Sequence, residues 1–220
     1  MTLFEIWKIT GKMLKKILGV QYLVQPTSNT CQSTCLKMFA MYLAKKRGMT
    51  NPGAEKDIFQ IWKEINSDEK RPSEMRNSYE NMKWWLEKYF HPTKFHVLQV
   101  VHVDEAIRKV RRHIDRGYPV LVSTNHVRTF GHIILVVGYL DSLDGNPSDI
   151  QFICHDPYGK FDPQLSSRQY GKRRYDGGLS LWGGGQEGPG KSVVYDYDGI
   201  RRIRADRHSA GTFFLISAMC

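Results

Sequence analysis

Cys31 is placed where a thiol could act as a nucleophile. It follows a loop of Pro, Thr, Ser and Asn residues and opens a predicted helix. A helix N-terminus lowers the pKa of a thiol because its unpaired N–H groups and the helix dipole favour negative charge. We therefore take Cys31 as the candidate nucleophile and interpret the other cysteines as small buried hydrophobic residues, namely Cys35, Cys154 and Cys220.

The candidate proton-transfer partner is His132, because histidine exchanges protons near neutral pH. It follows Gly131 and opens a nearly continuous apolar stretch that ends at Tyr139, which predicts a buried strand. Asp156 comes directly after the next predicted strand, where Pro157 ends the pairing. If the two strands are neighbours, Asp156 can orient the imidazole and stabilise its charged form.

Gln25 is the fourth candidate, six residues before Cys31. Its side-chain amide and the Cys31 backbone N–H could together form an oxyanion hole. Each of these residues, taken alone, also has an ordinary explanation: a buried thiol, a satisfied core histidine, a turn-forming aspartate or a polar loop residue. The four together, in this order, favour nucleophilic catalysis.

Zinc binding is the alternative use of the cysteines. Cys31 and Cys35 are four residues apart, and His155 follows Cys154. Structural zinc sites use tighter pairs on a knuckle, so this spacing does not favour zinc. No Gly-rich phosphate loop precedes a helix. We expect no metal and no other cofactor.

The elements that must position the candidate residues form a helical half followed by a strand-rich half. Apolar residues at helical spacing predict helices over residues 31–48, 54–65, 78–90 and 104–116. Alternating or continuous apolar runs predict strands over residues 95–103, 118–123, 132–139, 150–154 and 212–217. Helices followed by a mostly antiparallel sheet indicate an α+β fold.

Residues 1–19 predict a basic amphipathic helix in which apolar residues are interrupted by lysines. The interruptions do not fit a signal peptide, and no apolar run elsewhere is long enough to span a membrane. We expect this helix to dock on the domain, with attachment to an anionic membrane surface as the alternative. The lysines are Lys8, Lys12, Lys15 and Lys16.

The chain of 220 residues is long enough for one domain with a sizeable core. We assign residues 20–220 to it, with a Gly-rich loop insertion at about 160–191. Four cysteines in a chain of this length are interpreted as free thiols, which implies synthesis and folding in the reducing cytoplasm.

The net charge of +10 favours an anionic partner, such as nucleic acid, a membrane or a cell-wall polymer. Aromatic residues interleave poorly with the basic clusters, so base stacking with nucleic acid is not favoured. The composition indicates no oligomeric state. The clusters are Arg108, Lys109, Arg111 and Arg112, and Arg201, Arg202, Arg204 and Arg207.

Three segments resemble motifs of papain-like cysteine peptidases. QPTSNTCQSTCLKM, which starts at Gln25, resembles their glutamine-to-cysteine motif, and GHIILVVGY, which starts at Gly131, resembles their histidine strand. DPYG, which starts at Asp156, resembles their acidic turn. The similarity is greatest to the branch of double-glycine leader (bacteriocin-processing) peptidases and their stand-alone relatives in bacteria and phages. It covers roughly residues 20–159, with a weaker similarity at residues 191–197.

The resemblance implies a papain-like fold in which the nucleophile helix of a helical N-terminal half packs on a mostly antiparallel sheet. It also implies roles for the four residues: Cys31 as nucleophile, His132 as base and acid, Asp156 as orienting acid and Gln25 as oxyanion donor. Gln32 departs from the pattern, because leader peptidases often carry glycine after the nucleophile.

The leading functional hypothesis is cysteine-dependent hydrolysis of a peptide bond through an acyl-enzyme. Its substrate is either a polypeptide or the peptide cross-links of peptidoglycan; the latter would make the protein a lytic enzyme that acts at the cell envelope. The alternative of a different class is an inactive papain-like scaffold that binds an anionic partner through its basic residues.

Overall fold

The computed structural model describes residues 8–10, 13–27, 29–66, 78–100, 102–124, 132–142, 150–161, 175–176, 190–195 and 213–218. The helices in these ranges are α1 (Cys31–Arg47), α2 (Pro52–Glu55), α3 (Ile58–Asn66), α4 (Tyr79–Tyr89) and α5 (Val103–Asp115). The strands are β1 (Lys8–Thr10), β2 (Met13–Ile17), β3 (Phe95–Val100), β4 (Val120–Thr124), β5 (His132–Ser142), β6 (Gln151–His155), β7 (Lys160–Phe161), β8 (Tyr175–Asp176), β9 (Val193–Tyr195) and β10 (Phe213–Ala218).

One antiparallel sheet carries most of the strands. Its order is β1-β2-β5-β4-β10-β3, and β6 pairs with both β5 and β9. The long strand β5 is central because its first half pairs with β4 and its second half with β2. Gly138 of β5 pairs with Ile17 of β2, and a Cβ at Gly138 would overlap the Lys16 carbonyl oxygen. The predicted α+β class is confirmed. The predicted order of helices followed by strands is not kept throughout, because β1 and β2 precede α1 and α5 follows β3.

Helix α1 runs through the core and is buried on most of its surface. Leu36, Phe39 and Leu43 are inside, and the Phe39 ring meets the Phe95 ring edge-on at 6.0 Å between centroids. The helix ends at Gly48, whose φ of 61° is the left-handed conformation that glycine adopts without strain. The predicted helix over residues 31–48 is confirmed.

The helix predicted over residues 54–65 is divided in two. Asp57 Oδ1 accepts a hydrogen bond from the Gln60 backbone N–H at 2.8 Å, and Gln60 Oε1 accepts one from the Asp57 N–H at 2.9 Å. This reciprocal pair is a capping box, so a new helix starts after Asp57. Helices α4 and α5 match the predicted ranges within two residues.

The prediction of a helix over residues 1–19 is wrong for the part that the structure describes. Lys8–Thr10 and Met13–Ile17 are strands β1 and β2, and β2 extends the sheet by pairing with β5. Lys16 is buried, and its Nζ donates to the Asp115 carbonyl oxygen at 2.8 Å. The spacing of apolar residues fits a helix, but pairing with β5 decides the conformation because helices of this length depend on tertiary packing.

The predicted Gly-rich insertion at about 160–191 lies mostly outside the described residues. The described parts are residues 190–191 and the two short strands β7 and β8, which pair with each other. The division of the chain at residue 20 remains a prediction. Of the helices in the described ranges, none is long and apolar enough to cross a membrane.

Candidate active site

The fold brings the ends of three elements together. Cys31 is the first residue of α1, His132 is the first residue of β5, and Asp156 directly follows β6. Strands β5 and β6 pair antiparallel, with Leu135 opposite His155. The prediction that the two strands are neighbours is confirmed, and it explains how residues 24 positions apart meet.

His132 and Asp156 form a buried hydrogen-bonded pair. The His132 Nε2–H donates to Asp156 Oδ1 at 2.7 Å, since a carboxylate only accepts. The Tyr158 backbone N–H also donates to Oδ1, at 3.0 Å, and the Tyr195 hydroxyl donates to Oδ2 at 2.8 Å. Hydrogen-bond donors favour the ionised form of a buried carboxylate, and Asp156 raises the pKa of the His132 imidazole.

Cys31 is hydrogen-bonded to His132 and has a lowered thiol pKa. Burial raises the pKa of Cys31, but the hydrogen bond and positive charge of His132 lower it by more, helped by backbone hydrogen bonds from Ile133 and Gln32. Because Nε2 is hydrogen-bonded to Asp156, we infer that Nδ1 is the nitrogen that bonds the Cys31 sulfur. Burial lowers the pKa of His132, but Asp156 and Cys31 raise it to about 10. These shifts stabilise a thiolate–imidazolium pair.

The start of α1 adds to this electrostatic effect. The first turn, from Cys31 to Thr34, carries only uncharged side chains. The Thr30 hydroxyl donates to the Thr27 carbonyl oxygen at 2.9 Å instead of accepting from the helix N–H groups. The positive end of the helix dipole is thus directed at Cys31 without a compensating charge.

The other described cysteines have the opposite character. Cys35 and Cys154 are completely buried, and burial raises the pKa of both thiols. The Cys35 thiol donates to the Ile133 carbonyl oxygen at 3.3 Å. Their interpretation as buried hydrophobic residues is confirmed, whereas Cys220 lies outside the described residues.

Gln25 is buried in the loop before Cys31. Its backbone N–H donates to the Pro157 carbonyl oxygen at 2.9 Å, which ties this loop to the turn that carries Asp156. Its Nε2 donates to the Thr27 carbonyl oxygen at 2.6 Å. The structure thus fixes Gln25 beside the turn of the candidate acid, and its role as an oxyanion donor stays a prediction.

The sequence reasoning missed the residues that hold Asp156. Tyr22 donates its hydroxyl to the Asp156 carbonyl oxygen at 3.0 Å, and Tyr195 donates to the carboxylate from 39 residues away. The available signal was the short apolar run Val193-Val194-Tyr195, which is typical of a strand. Nothing in that run indicates which strand it pairs with.

The residues considered for zinc have other partners. The Nε2–H of His155 donates to the Val20 carbonyl oxygen at 3.0 Å, and its Nδ1 accepts from the Ser192 backbone N–H at 3.2 Å. In the ranges that the structure describes, no group of three or more His, Cys, Asp or Glu residues could hold a metal ion.

The basic cluster on α5 is partly neutralised within the protein. Lys109 pairs with Glu105 at 2.8 Å, and Arg111 pairs with Asp141 at 2.6 Å. The second basic cluster, residues 201–207, lies outside the described residues.

A buried helix that presents a cysteine to a histidine on an antiparallel sheet defines the papain-like α+β class of fold. Residues 17–177 match the Peptidase_C39 like family, and the chain belongs to that family. It is also similar to a crystal structure of UfSP from C. elegans, at 11% identity and a TM-score of 0.48. That similarity covers 88% of this chain and 30% of the UfSP chain. Among curated proteins, no match was found.

Proposed function

We propose that this protein is a cysteine peptidase that hydrolyses peptide bonds with Cys31 as nucleophile and His132 as general base and acid. The observation that carries the proposal is the continuous set of hydrogen bonds from Cys31 through His132 to Asp156. The lowered pKa of Cys31 favours the thiolate, which attacks without a prior proton transfer. Membership of a peptidase family supports the same chemistry.

The reaction proceeds in two steps that share one set of residues. The Cys31 thiolate attacks the carbonyl carbon, and the His132 imidazolium gives its proton to the leaving amine as the C–N bond breaks. A thioester between the substrate acyl group and Cys31 remains. His132 then takes one proton from water, whose oxygen attacks the thioester. The C–S bond breaks to release the thiolate and a carboxylic acid, which loses its remaining proton to solvent.

Asp156 keeps the imidazole in one orientation and stabilises its charged form during both steps. Its Oδ1 accepts a hydrogen bond from the Nε2–H, so Nδ1 is the nitrogen that exchanges protons with the thiol, the amine and water. Gln25 and the Cys31 backbone N–H are the proposed oxyanion donors. The Gln25 amide nitrogen carries two hydrogens and uses one on the Thr27 carbonyl oxygen, which supports a second bond to the oxyanion.

The proposal is tested by digestion of a diverse peptide mixture and of purified peptidoglycan. Wild-type protein and Cys35→Ser, which keeps a hydrogen-bond donor toward the Ile133 carbonyl oxygen, are expected to release new peptide termini. Cys31→Ser is expected to lower the rate by at least about 10³-fold. Release from peptidoglycan alone would identify the lytic substrate, and full activity of Cys31→Ser would disprove the proposal.

A further inference from the structure

Residues 190–195 lie beyond the part of the chain that matches the family, yet they contact the aspartate of the candidate site. Their strand β9 pairs with β6, with Tyr195 opposite Phe152. The Asp156 backbone N–H donates to the Gly190 carbonyl oxygen at 2.9 Å. The segment therefore extends the sheet up to the turn that carries Asp156.

The backbone of this segment is held closely against that turn. A Cβ on Gly190 would overlap the Asp156 carbonyl oxygen, so this approach requires glycine. The Ser192 N–H donates to Nδ1 of the buried His155 at 3.2 Å. Tyr195 is only 5% exposed and extends inward from a strand whose position is fixed by these contacts.

The two oxygens of the Asp156 carboxylate have different partners. Oδ1 accepts from His132 at 2.7 Å and from the Tyr158 N–H at 3.0 Å. Oδ2 accepts from the Tyr195 hydroxyl at 2.8 Å. Because both oxygens are held, the plane of the carboxylate is held, and Oδ1 stays directed at the imidazole.

We propose that Tyr195 is a positioning residue of the catalytic centre, whose hydroxyl keeps the Asp156 carboxylate ionised and directed at His132. The inference rests on the proposed function for its catalytic consequence. Tyr195 acts through Asp156 and His132, and at the nucleophile it increases the stability of the Cys31 thiolate.

The physical reason is the fate of the carboxylate when the hydroxyl is removed. Oδ2 would lose a donor in a completely buried position, which costs free energy for a charged acceptor. The carboxylate can compensate for the lost hydroxyl by turning, which takes Oδ1 away from His132. It can also take up a proton, which removes its charge. Both changes destabilise the charged form of His132 and therefore also the thiolate form of Cys31.

The test is the pH dependence of Cys31 alkylation by iodoacetamide, located by mass spectrometry, in Tyr195→Phe. The matched control is Tyr139→Phe, which also removes a buried tyrosine hydroxyl that donates to a carboxylate, Asp115 Oδ1 at 2.6 Å. The acid limb is the low-pH part of the profile, in which the alkylation rate rises with pH as Cys31 ionises. Tyr195→Phe is expected to move this limb to higher pH by about half to one unit, which makes alkylation roughly three- to tenfold slower at a given pH on the limb. Tyr139→Phe should leave the limb in place.

An acid limb that stays in place or moves to lower pH in Tyr195→Phe would overturn the inference. So would an equal loss of thermal stability in both variants with unchanged limbs, because it would show a purely structural role. If the limb shifts as expected but wild-type protein cleaves no peptide, the proposed function fails and the positioning role stands. If Tyr195→Phe does not fold, 3-fluorotyrosine at position 195, a stronger donor, should shift the limb to lower pH.

Discussion

Cys31 and Cys35 lie one turn apart on α1, yet the pKa of the Cys31 thiol is lowered and that of the Cys35 thiol is raised. Burial raises the pKa of both, but the hydrogen bond and charge of His132 reverse the effect at Cys31 alone. Cys35 instead donates its proton to the Ile133 carbonyl oxygen. The His132 side chain thus favours the thiolate form of Cys31, while burial favours the neutral form of Cys35.

This contrast predicts selective alkylation. At neutral pH, iodoacetamide should modify Cys31 at least about tenfold faster than Cys35 or Cys154, because the thiolate is the reactive form and the other two thiols are buried. The rates are measured by mass spectrometry of the digested protein. In urea the three thiols should react at similar rates, and similar rates in the folded protein would contradict the assignment of the nucleophile.

The pKa shifts also predict the pH profile of peptide hydrolysis. The lowered pKa of Cys31 places the acid limb below the ordinary thiol value of about 8.5, and activity should rise as pH increases through it. The raised pKa of His132, about 10, places the loss of the imidazolium on the alkaline side. A plot of kcat/KM against pH should be bell-shaped, with both limbs belonging to the coupled pair. An acid limb at the ordinary thiol value would refute this assignment.

Replacement of Asp156 by asparagine should lower kcat by about 10²-fold, within the range of general acid–base effects. The amide removes the negative charge that stabilises the imidazolium but keeps a similar shape. KM should change little, and circular dichroism should show an intact fold. An active Asp156→Asn variant with an unchanged acid limb would mean that the carboxylate does not support His132.

Gln25→Ala separates transition-state stabilisation from activation of the thiol. If Gln25 donates to the oxyanion, its loss should lower kcat by about 10²- to 10³-fold. The pH profile of Cys31 alkylation should stay unchanged, because the thiolate depends on His132 and the start of α1. A shifted alkylation profile would show that Gln25 instead supports the folded loop before Cys31.

His113 on α5 predicts a loss of stability in acid. Burial and nearby positive charges, including Arg116, lower its pKa to about 4. The unfolded chain therefore binds a proton near pH 6.5 that the folded protein excludes, and stability falls as pH decreases from about 6.5 to about 4. His113→Leu should flatten this slope in urea unfolding, whereas replacement of the exposed His102 by glutamine should not. An unchanged slope in His113→Leu would assign the effect to other groups.

Sequence patterns were sufficient for features that depend on neighbouring residues. The start of α1 at Cys31 and its end at Gly48 follow from a loop-to-helix change and a glycine, both local signals. The strand at His132 is a continuous apolar run, and the next strand along the chain is its neighbour in the sheet. These local signals placed Cys31, His132 and Asp156 at the ends of their elements, and the resemblance to papain-like peptidases implied that the three act together. The break between α2 and α3 is also local, because the reciprocal hydrogen bonds of Asp57 and Gln60 start a new helix there.

Tertiary structure alone decided the contacts between distant segments. Lys16 occurs in a pattern that fits an amphipathic helix, but the Asp115 carbonyl oxygen, 99 residues away, allows it to be buried in a strand. Tyr195 holds the Asp156 carboxylate only because β9 returns to pair with β6. Periodicity reports which face of a segment is buried, whereas the partner on that face depends on the whole folded chain. The sequence therefore determined the candidate nucleophile, base and acid, and the tertiary structure determined what holds them in place.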